Sequence, residues 1–292
     1  MELDTRAVLA VAIRAARVAG ARIKTFTGGA PVLSTKADYC DLVTAEDRRC
    51  QDDIQAVIIE AFGDTHLFLG EEDVPPGAEA SAAAIAAFLA RGKPLWVVDP
   101  IDGTTNFASG LPISCVSIGI ANAAGAVCVG VIFDPHRDEL FHAVRGGGAF
   151  LNGLPIRVAA APDLRASLWG WGLHHARHVG KTMLRAADVF SDNVRGLRGL
   201  GSAAIELAYV ACGRLAGFFE FELCAWDLAA GSLLVQEAGG RITGPAGQPY
   251  TLALRDVLAT NGVPAVHEGA MALLVRANAT KADDPALWPP LH

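Results

Sequence analysis

Leu95-Trp96-Val97-Val98-Asp99-Pro100-Ile101-Asp102-Gly103-Thr104-Thr105-Asn106-Phe107 is the stretch around which the rest of the chain can be ordered. Leu95 to Val98 form an unbroken apolar run, the pattern of a strand covered on both faces. Pro100 has no N–H to give to a ladder, so the strand is expected to stop and the chain to turn. The turn then holds Asp99 and Asp102 three residues apart and able to face one point. Two carboxylates so placed repel each other unless a cation lies between them. Ligation by oxygen alone selects hard ions, and Mg²⁺ in particular takes a few carboxylates while keeping waters and phosphate oxygens. Gly103 and Thr104 add unobstructed backbone N–H groups for phosphate oxygens, and the Thr104 hydroxyl can orient a water. Asp-Pro and Asp-Gly are also ordinary turn formers. Taken for its chemistry, the pattern points to metal-assisted cleavage of a phosphate ester.

Outward toward the N-terminus, Val8, Val11, Ala12, Ala15 and Ala19 recur at helical spacing and predict an opening helix that ends near Gly28-Gly29. A second helix has Thr44 as its N-cap and Asp47 at the third position, with Cys50, Ile54, Val57, Ile58 and Phe62 as its buried stripe and Gly63-Asp64 as its stop. Short β-type runs at Leu67–Gly70 and Leu95–Asp99 flank an alanine-rich helix around Ser81–Leu89. Outward toward the C-terminus, Cys115–Ala121, Val127–Phe133 and Glu139–Val144 read as an antiparallel meander. After Pro162 the text alternates: strand-like at Ser167–Gly172, Gly217–Glu222 and Val257–Thr260, helical at Val179–Phe190, Ser202–Cys212, Trp226–Glu237 and His267–Ala277. The expected organisation is an α+β half over 1–158, an α/β half over 159–280 and a loosely held tail over 281–292.

The chain of 292 residues, 52% hydrophobic and 19% charged, can bury a large core and is neither a disordered segment nor a stapled mini-protein. A net charge of −7 without a dense basic block argues against direct binding to nucleic acid. No apolar stretch follows a basic start as a secretory signal requires, and the longest apolar run, Ala82 to Ala90, is about half a membrane span. The six cysteines lack CxxC or metal-finger spacing and read as reduced thiols of a cytoplasmic protein.

The 96–107 stretch resembles the signature of the inositol monophosphatase family, the Mg²⁺-dependent, lithium-sensitive phosphatases. Gly70-Glu71-Glu72 is similar to the family's second motif, and Trp226-Asp227-Leu228-Ala229-Ala230-Gly231 with Glu237-Ala238-Gly239-Gly240 to its third. The resemblance extends from about residue 5 to about 275, with the motifs in the family's order. It implies an α/β fold, the layered α-β-α-β-α sandwich of the inositol monophosphatase and fructose-1,6-bisphosphatase type, with the active site where the halves meet. It further implies two or three Mg²⁺ ions. Glu71, Asp99 and the Ile101 carbonyl would hold the first, and Asp99, Asp102 and Asp227 the second, with Glu71 also anchoring water around a third. Thr104, with Asp47 behind it, would orient the attacking water, and no phosphoenzyme would form. Asp102, Gly103, Thr104, Gly201, Ser202, Ala203 and Glu220 would line the substrate, and Lys36 would sit on a loop near the metals.

The resemblance implies hydrolysis of a small polyol phosphate, myo-inositol monophosphate foremost, by a homodimer. Histidinol phosphate or another sugar or nucleotide phosphate is the enzymatic alternative, and a regulatory, protein-binding member that keeps the fold is the other. Two features are set aside. Arg145-Gly146-Gly147-Gly148 lacks the Lys-Ser or Lys-Thr of a phosphate loop and reads as a hairpin turn. Trp169 to His178, with three histidines, departs from the family text where a substrate-side or subunit-contact loop would lie; it reads as an exposed helix start, with a substrate-side role and a metal site as the alternatives. Glu72 is expected to point away from Glu71 because the segment is extended.

Overall fold

Leu95 and Val97 pack to one side and Trp96 and Val98 to the other, and all four are fully buried. A strand covered on both faces needs helices on both, and the chain supplies them. The computed structural model describes residues 3–26, 32–35, 42–75, 78–174 and 176–283. In chain order, α1 (Thr5–Ile23), β1 (Val32–Thr35), β2 (Leu42–Thr44) and α2 (Ala45–Phe62) precede β3 (Leu67–Gly70), a 3-10 turn over Glu71–Asp73, α3 (Ala78–Leu89) and β4 (Leu95–Asp102). Next come the short α4 (Thr104–Ala108), β5 (Cys115–Ala121), β6 (Val127–Asp134), β7 (Glu139–Val144), β8 (Gly148–Leu151) and β9 (Leu154–Pro155). The remainder is β10 (Leu168–Trp171), α5 (Arg177–Ser191), β11 (Gly196–Arg198), α6 (Ala203–Ala211), β12 (Gly217–Glu220), α7 (Ala225–Glu237), β13 (Arg241–Thr243), β14 (Val257–Thr260) and α8 (Pro264–Arg276).

Strands β3 to β9 form a seven-stranded sheet in sequence order, parallel only between β3 and β4. The second sheet has the order β11-β10-β12-β14-β13, with β10 parallel to both neighbours. Five layers result. Helices α1 and α2 cover the Trp96 and Val98 face of the first sheet through Ala12, Ala15, Ala16, Ala19, Cys50 and Ile54. Helices α6 and α7 fill the space between the sheets, joining Leu95 and Val97 to Phe218, Val257 and Ala259. Helices α5 and α8 close the outer face of the second sheet over Trp169, Phe219 and Leu258. The α-β-α-β-α order expected from the resemblance is therefore present, and each layer boundary is an apolar one.

Four expectations need correction. Strand β4 does not stop before Pro100 but runs to Asp102 over a bulge: Asp99 pairs with Ser117 and Asp102 with Cys115, so three steps on β4 match two on β5. The proline lies in the unpaired excess, where no ladder N–H is needed. Helix α1 ends at Ile23 because the chain turns there, with Thr25 and Phe26 donating to Arg22 and Ile23 and the Phe26 ring set edge-on to Phe107 at 5.9 Å. Trp169 to Trp171 belongs to an inner strand, as the strand-like reading of 167–172 expects, and not to the exposed stretch expected over 169–178; Trp169, fully buried, packs on Phe190 at 5.1 Å. The first residues of the tail are tied down, since Arg185 forks both oxygens of Asp283 at 2.8 Å and Asp283 N–H donates to Thr182 at 3.1 Å, while residues 284–292 lie outside the described residues.

Candidate active site

The β4 bulge is what builds the site. Asp99 stands before it and Asp102 after it, and the extra residue brings both side chains, 3% and 7% exposed, to the same end of the strand. Gly70 pairs with Val98 in the parallel β3–β4 register, so the residue that follows each, Glu71 and Asp99, come side by side, and the two side chains share a hydrogen bond. Asp227 arrives from the other direction as the third residue of α7, where it accepts Cys224 N–H at 2.6 Å and gains from the helix N-terminus. Carboxylate oxygens of Asp99, Asp102 and Asp227 lie within 4.8 Å of one another.

Such a cluster is electrostatically costly without a counter-ion. Burial and then mutual repulsion raise Asp99 well above the usual carboxylate range, take Asp227 to about 8, and raise Asp102 to about 6 against the opposing bonds from Ser202 and Ala204. Among the described residues none of the three is ion-paired with a cationic side chain. Oxygen donors alone, buried and closely spaced, fit a hard divalent cation that would hold them in their charged form.

Asp102 is held by the second half of the chain. It accepts Ser202 Oγ, Ala204 N–H at 2.9 Å and the Cys115 thiol at 3.8 Å, which pins the N-terminus of α6 to the bulge. Asn106 makes a second tie, donating to Ile113 O at 2.9 Å, Leu200 O at 2.7 Å and Gly201 O at 3.2 Å. Gly103 turns between β4 and α4 at φ 88, a conformation open to glycine. Thr104 opens α4 with its hydroxyl 3.2 Å from Asp47 Oδ1 and 2.9 Å from the Ile101 carbonyl. One proton cannot serve both acceptors. Asp47, 2% exposed, is itself fixed by a capping box, its Oδ2 accepting Thr44 N–H at 2.8 Å and Thr44 Oγ1 at 2.6 Å, and burial raises it to about 6. Glu220, the last residue of β12, is pushed by burial, then by Asp227 and Asp102, to about 8, which places it beside the cluster.

The structure thus brings Asp47, Glu71, Asp99, Ile101, Asp102, Thr104 and Asp227 together, with Gly103, Gly201, Ser202, Ala203 and Glu220 around them. Lys36 lies outside the described residues. Glu71 and Glu72 lie in a 3-10 turn and not in the extended chain expected there; the Glu72 N–H donates to Gln51 Oε1 and its carbonyl accepts from Arg48. The glycine run at 146–148 is the β7–β8 turn, its N–H groups given to Glu237 at 2.8 and 2.9 Å. His174 Nδ1 accepts Ala176 N–H. Two supports went unread in the sequence. Arg255 wraps the β12–α7 turn, donating to Glu222 O at 2.9 Å and Cys224 Sγ at 3.8 Å, and nothing local signals it. Glu206 is fully buried in α6, where its Oε1 accepts Leu200 N–H at 3.3 Å; a single acid in an otherwise apolar helix is the available signal.

The comparisons agree with this geometry. The family model described as the inositol monophosphatase family matches residues 4–279. Inositol monophosphatase 2 of Solanum lycopersicum is 41% identical over 254 residues, 86% of this chain and 92% of that one. The Nus factor SuhB of Pseudomonas aeruginosa is 38% identical over 258 residues, 87% and 91% of the two chains. The structure of the inositol monophosphatase of Anabaena superposes with a TM-score of 0.77 at 32% identity, covering 98% of this chain and all of that one. With a matching profile over nearly its whole length, relatives of this similarity and the same layered fold, the chain is a phosphomonoesterase that belongs to the inositol monophosphatase family.

Proposed function

We propose that the enzyme hydrolyses a small polyol phosphate, myo-inositol monophosphate foremost, with Mg²⁺ as its cofactor. The observation that carries this is the meeting of Asp99, Asp102 and Asp227 with Glu71 on one side and the Thr104–Asp47 pair on the other. Relatives named inositol monophosphatases support the substrate class. Glu71, Asp99, Asp102, Asp227 and the Ile101 carbonyl are the groups that would hold two ions, with Glu71 bearing on a third. Bound there, Mg²⁺ would neutralise phosphate oxygens, acidify water and stabilise the departing oxygen.

The chain's own residues set the geometry of attack. Thr104 gives its proton to Asp47, which leaves hydroxyl lone pairs to fix the orientation of the attacking water, so that no side chain becomes phosphorylated. The N–H groups at Gly103 and Thr104 hold phosphate oxygens, and Gly201, Ser202 and Ala203 wall the other side. Glu220 accepts hydrogen bonds from hydroxyls of the alcohol half. A homodimer, lithium sensitivity and a cytoplasmic location complete the reading; the five free cysteines among the described residues support the location.

The test is phosphate release, with and without Mg²⁺, from myo-inositol 1-phosphate, histidinol phosphate, fructose 1,6-bisphosphate and 3′-phosphoadenosine 5′-phosphate. Asp102→Asn is expected to lose at least about 100-fold, since even changes one shell out from a metal cost about 10- to 100-fold. Turnover of the inositol ester that is lost in the variant and blocked by Li⁺ supports the reading, whereas preference for another ester moves the substrate and keeps the mechanism. The similarity to a protein named as a Nus factor favours one second reading, a regulatory role for this fold. Absence of Mg²⁺-dependent release from every ester would select it.

A further inference from the structure

Trp169-Gly170-Trp171-Gly172 alternates large and absent side chains along β10, and alternate residues of a strand share a face. Trp169 and Trp171 face the outer layer with α5 and α8. Gly170 and Gly172 face the central layer, and there each bare backbone has a carboxylate lying against it. A Cβ at Gly172 would stand 1.9 Å from Glu220 Cδ and 2.0 and 2.1 Å from its two oxygens. A Cβ at Gly170 would stand 2.9 Å from Glu206 Oε1. Neither glycine adopts a left-handed conformation, so the missing side chain, and not backbone freedom, is what these positions supply.

The register explains the first contact. Strand β12 runs parallel to β10 with Gly170 beside Phe218 and Trp171 beside Phe219, so Gly172 is the neighbour of Glu220 just beyond the last pair. A glutamate at the end of a strand ordinarily stands upright off the sheet. Here it lies sideways across the neighbouring strand. Glu206 meets the adjacent glycine from α6, its Oε1 accepting Leu200 N–H at 3.3 Å and the backbone N–H of Trp171, while its Oε2 is buried without a partner. Leu200 opens the loop to Gly201 and Ser202, so Glu206 sets that loop and Gly172 sets Glu220.

We propose that Gly172 is a specificity-determining residue: as Gly170 seats the Glu206 carboxylate, Gly172 seats that of Glu220, and it lays Glu220 down where it receives hydroxyl hydrogens from the alcohol half of the ester. The second part rests on the substrate reading given above. A carboxylate is the mobile end of its side chain, so Gly172→Ala displaces it at little cost to the fold, whereas Gly170→Ala also presses on Leu215 and Phe218 at 3.0 and 3.2 Å and disturbs the whole wall.

The experiment compares wild type, Gly172→Ala, Glu220→Ala and the double variant on myo-inositol 1-phosphate and on p-nitrophenyl phosphate, which has no hydroxyls. Gly172→Ala is expected to lower kcat/KM for the inositol ester, mainly through KM, by about tenfold or more beyond its effect on the aryl ester, the scale of a hydrogen bond to a charged acceptor. The double variant is expected to be no worse than Glu220→Ala alone. Equal losses on the two esters, or losses that multiply in the double variant, overturn the specificity role. A crystal structure of Gly172→Ala judges the seat without reference to substrate: Glu220 rotated away upholds it, and Glu220 in place overturns it. A wild-type enzyme that does not favour the inositol ester overturns the substrate reading instead, and the crystal structure then decides the seat.

Discussion

In the proposed mechanism Thr104 is the residue on which the chemistry turns, because a hydroxyl with one proton stands between a carboxylate at 3.2 Å and a carbonyl at 2.9 Å. Removing it leaves the acidic cluster whole and frees the water. Thr104→Ala is therefore expected to reduce kcat by about 10²- to 10⁴-fold with KM nearly unchanged, and Thr104→Ser to restore most of it; steady-state kinetics on both variants checks this. The partner sets the pH dependence. Burial raises Asp47 to about 6, and once protonated it no longer takes the Thr104 proton. The profile of kcat should fall as pH drops through about 6, and a profile flat from pH 5 to 8 would count against the pair.

At the scale of elements, the position of Asp227 depends on how closely α7 approaches the seven-stranded sheet. Gly119 and Gly130 are cross-strand partners on β5 and β6, and together they make a flat place on the sheet. A Cβ at Gly119 would meet Ala229 Cβ at 2.5 Å, and one at Gly130 would meet the Ala230 carbonyl at 2.7 Å. The obstacle at Gly130 is backbone, which cannot swing aside. Gly130→Ala should cost about 1–3 kcal/mol through overpacking and displace the helix that carries Asp227. Denaturant unfolding measures the first effect, and a weaker dependence of the stability gain on Mg²⁺ measures the second.

For the whole molecule the acidic cluster is a stability element with a definite sign. Asp47 and Asp102 are raised to about 6 and Asp227 and Glu220 to about 8, above an unfolded value near 4, so the folded protein binds these protons more tightly than the unfolded chain. Their stabilising contribution is complete below about pH 4 and is lost as pH rises through about 6 and then about 8. With chelator present, the melting temperature should fall from pH 5 to pH 8. Mg²⁺, the proposed cofactor, would bind the charged forms and should raise the melting temperature most at the alkaline end. Melting curves across that range, with EDTA and with Mg²⁺, test both halves; a chelated protein that gains stability toward pH 8 would contradict the charge arrangement.

The sequence by itself determined the helices with caps and stripes, such as Thr44 and Asp47 on α2, and the β-type runs long enough to show a pattern, such as Val257–Thr260, because these follow from local spacing. It also carried the acidic positions, since the residues at 71, 99, 102 and 227 stand in recognisable motifs. Strands of three residues containing an arginine, β11 and β13, were too short to signal themselves. Only the tertiary structure decided that Pro100 sits in a bulge instead of ending β4, since whether a missing N–H matters depends on what lies across the ladder. The same holds for Trp169 to Gly172. Read along the chain it is a strand-like run with no sign of what covers it; placed beside β12 and α6 it is a buried strand whose two glycines lie against Glu206 and Glu220. A residue's capacity is written in its type, but what it touches is set by a partner on another element, well outside the reach of local spacing, and no local pattern encodes that distance.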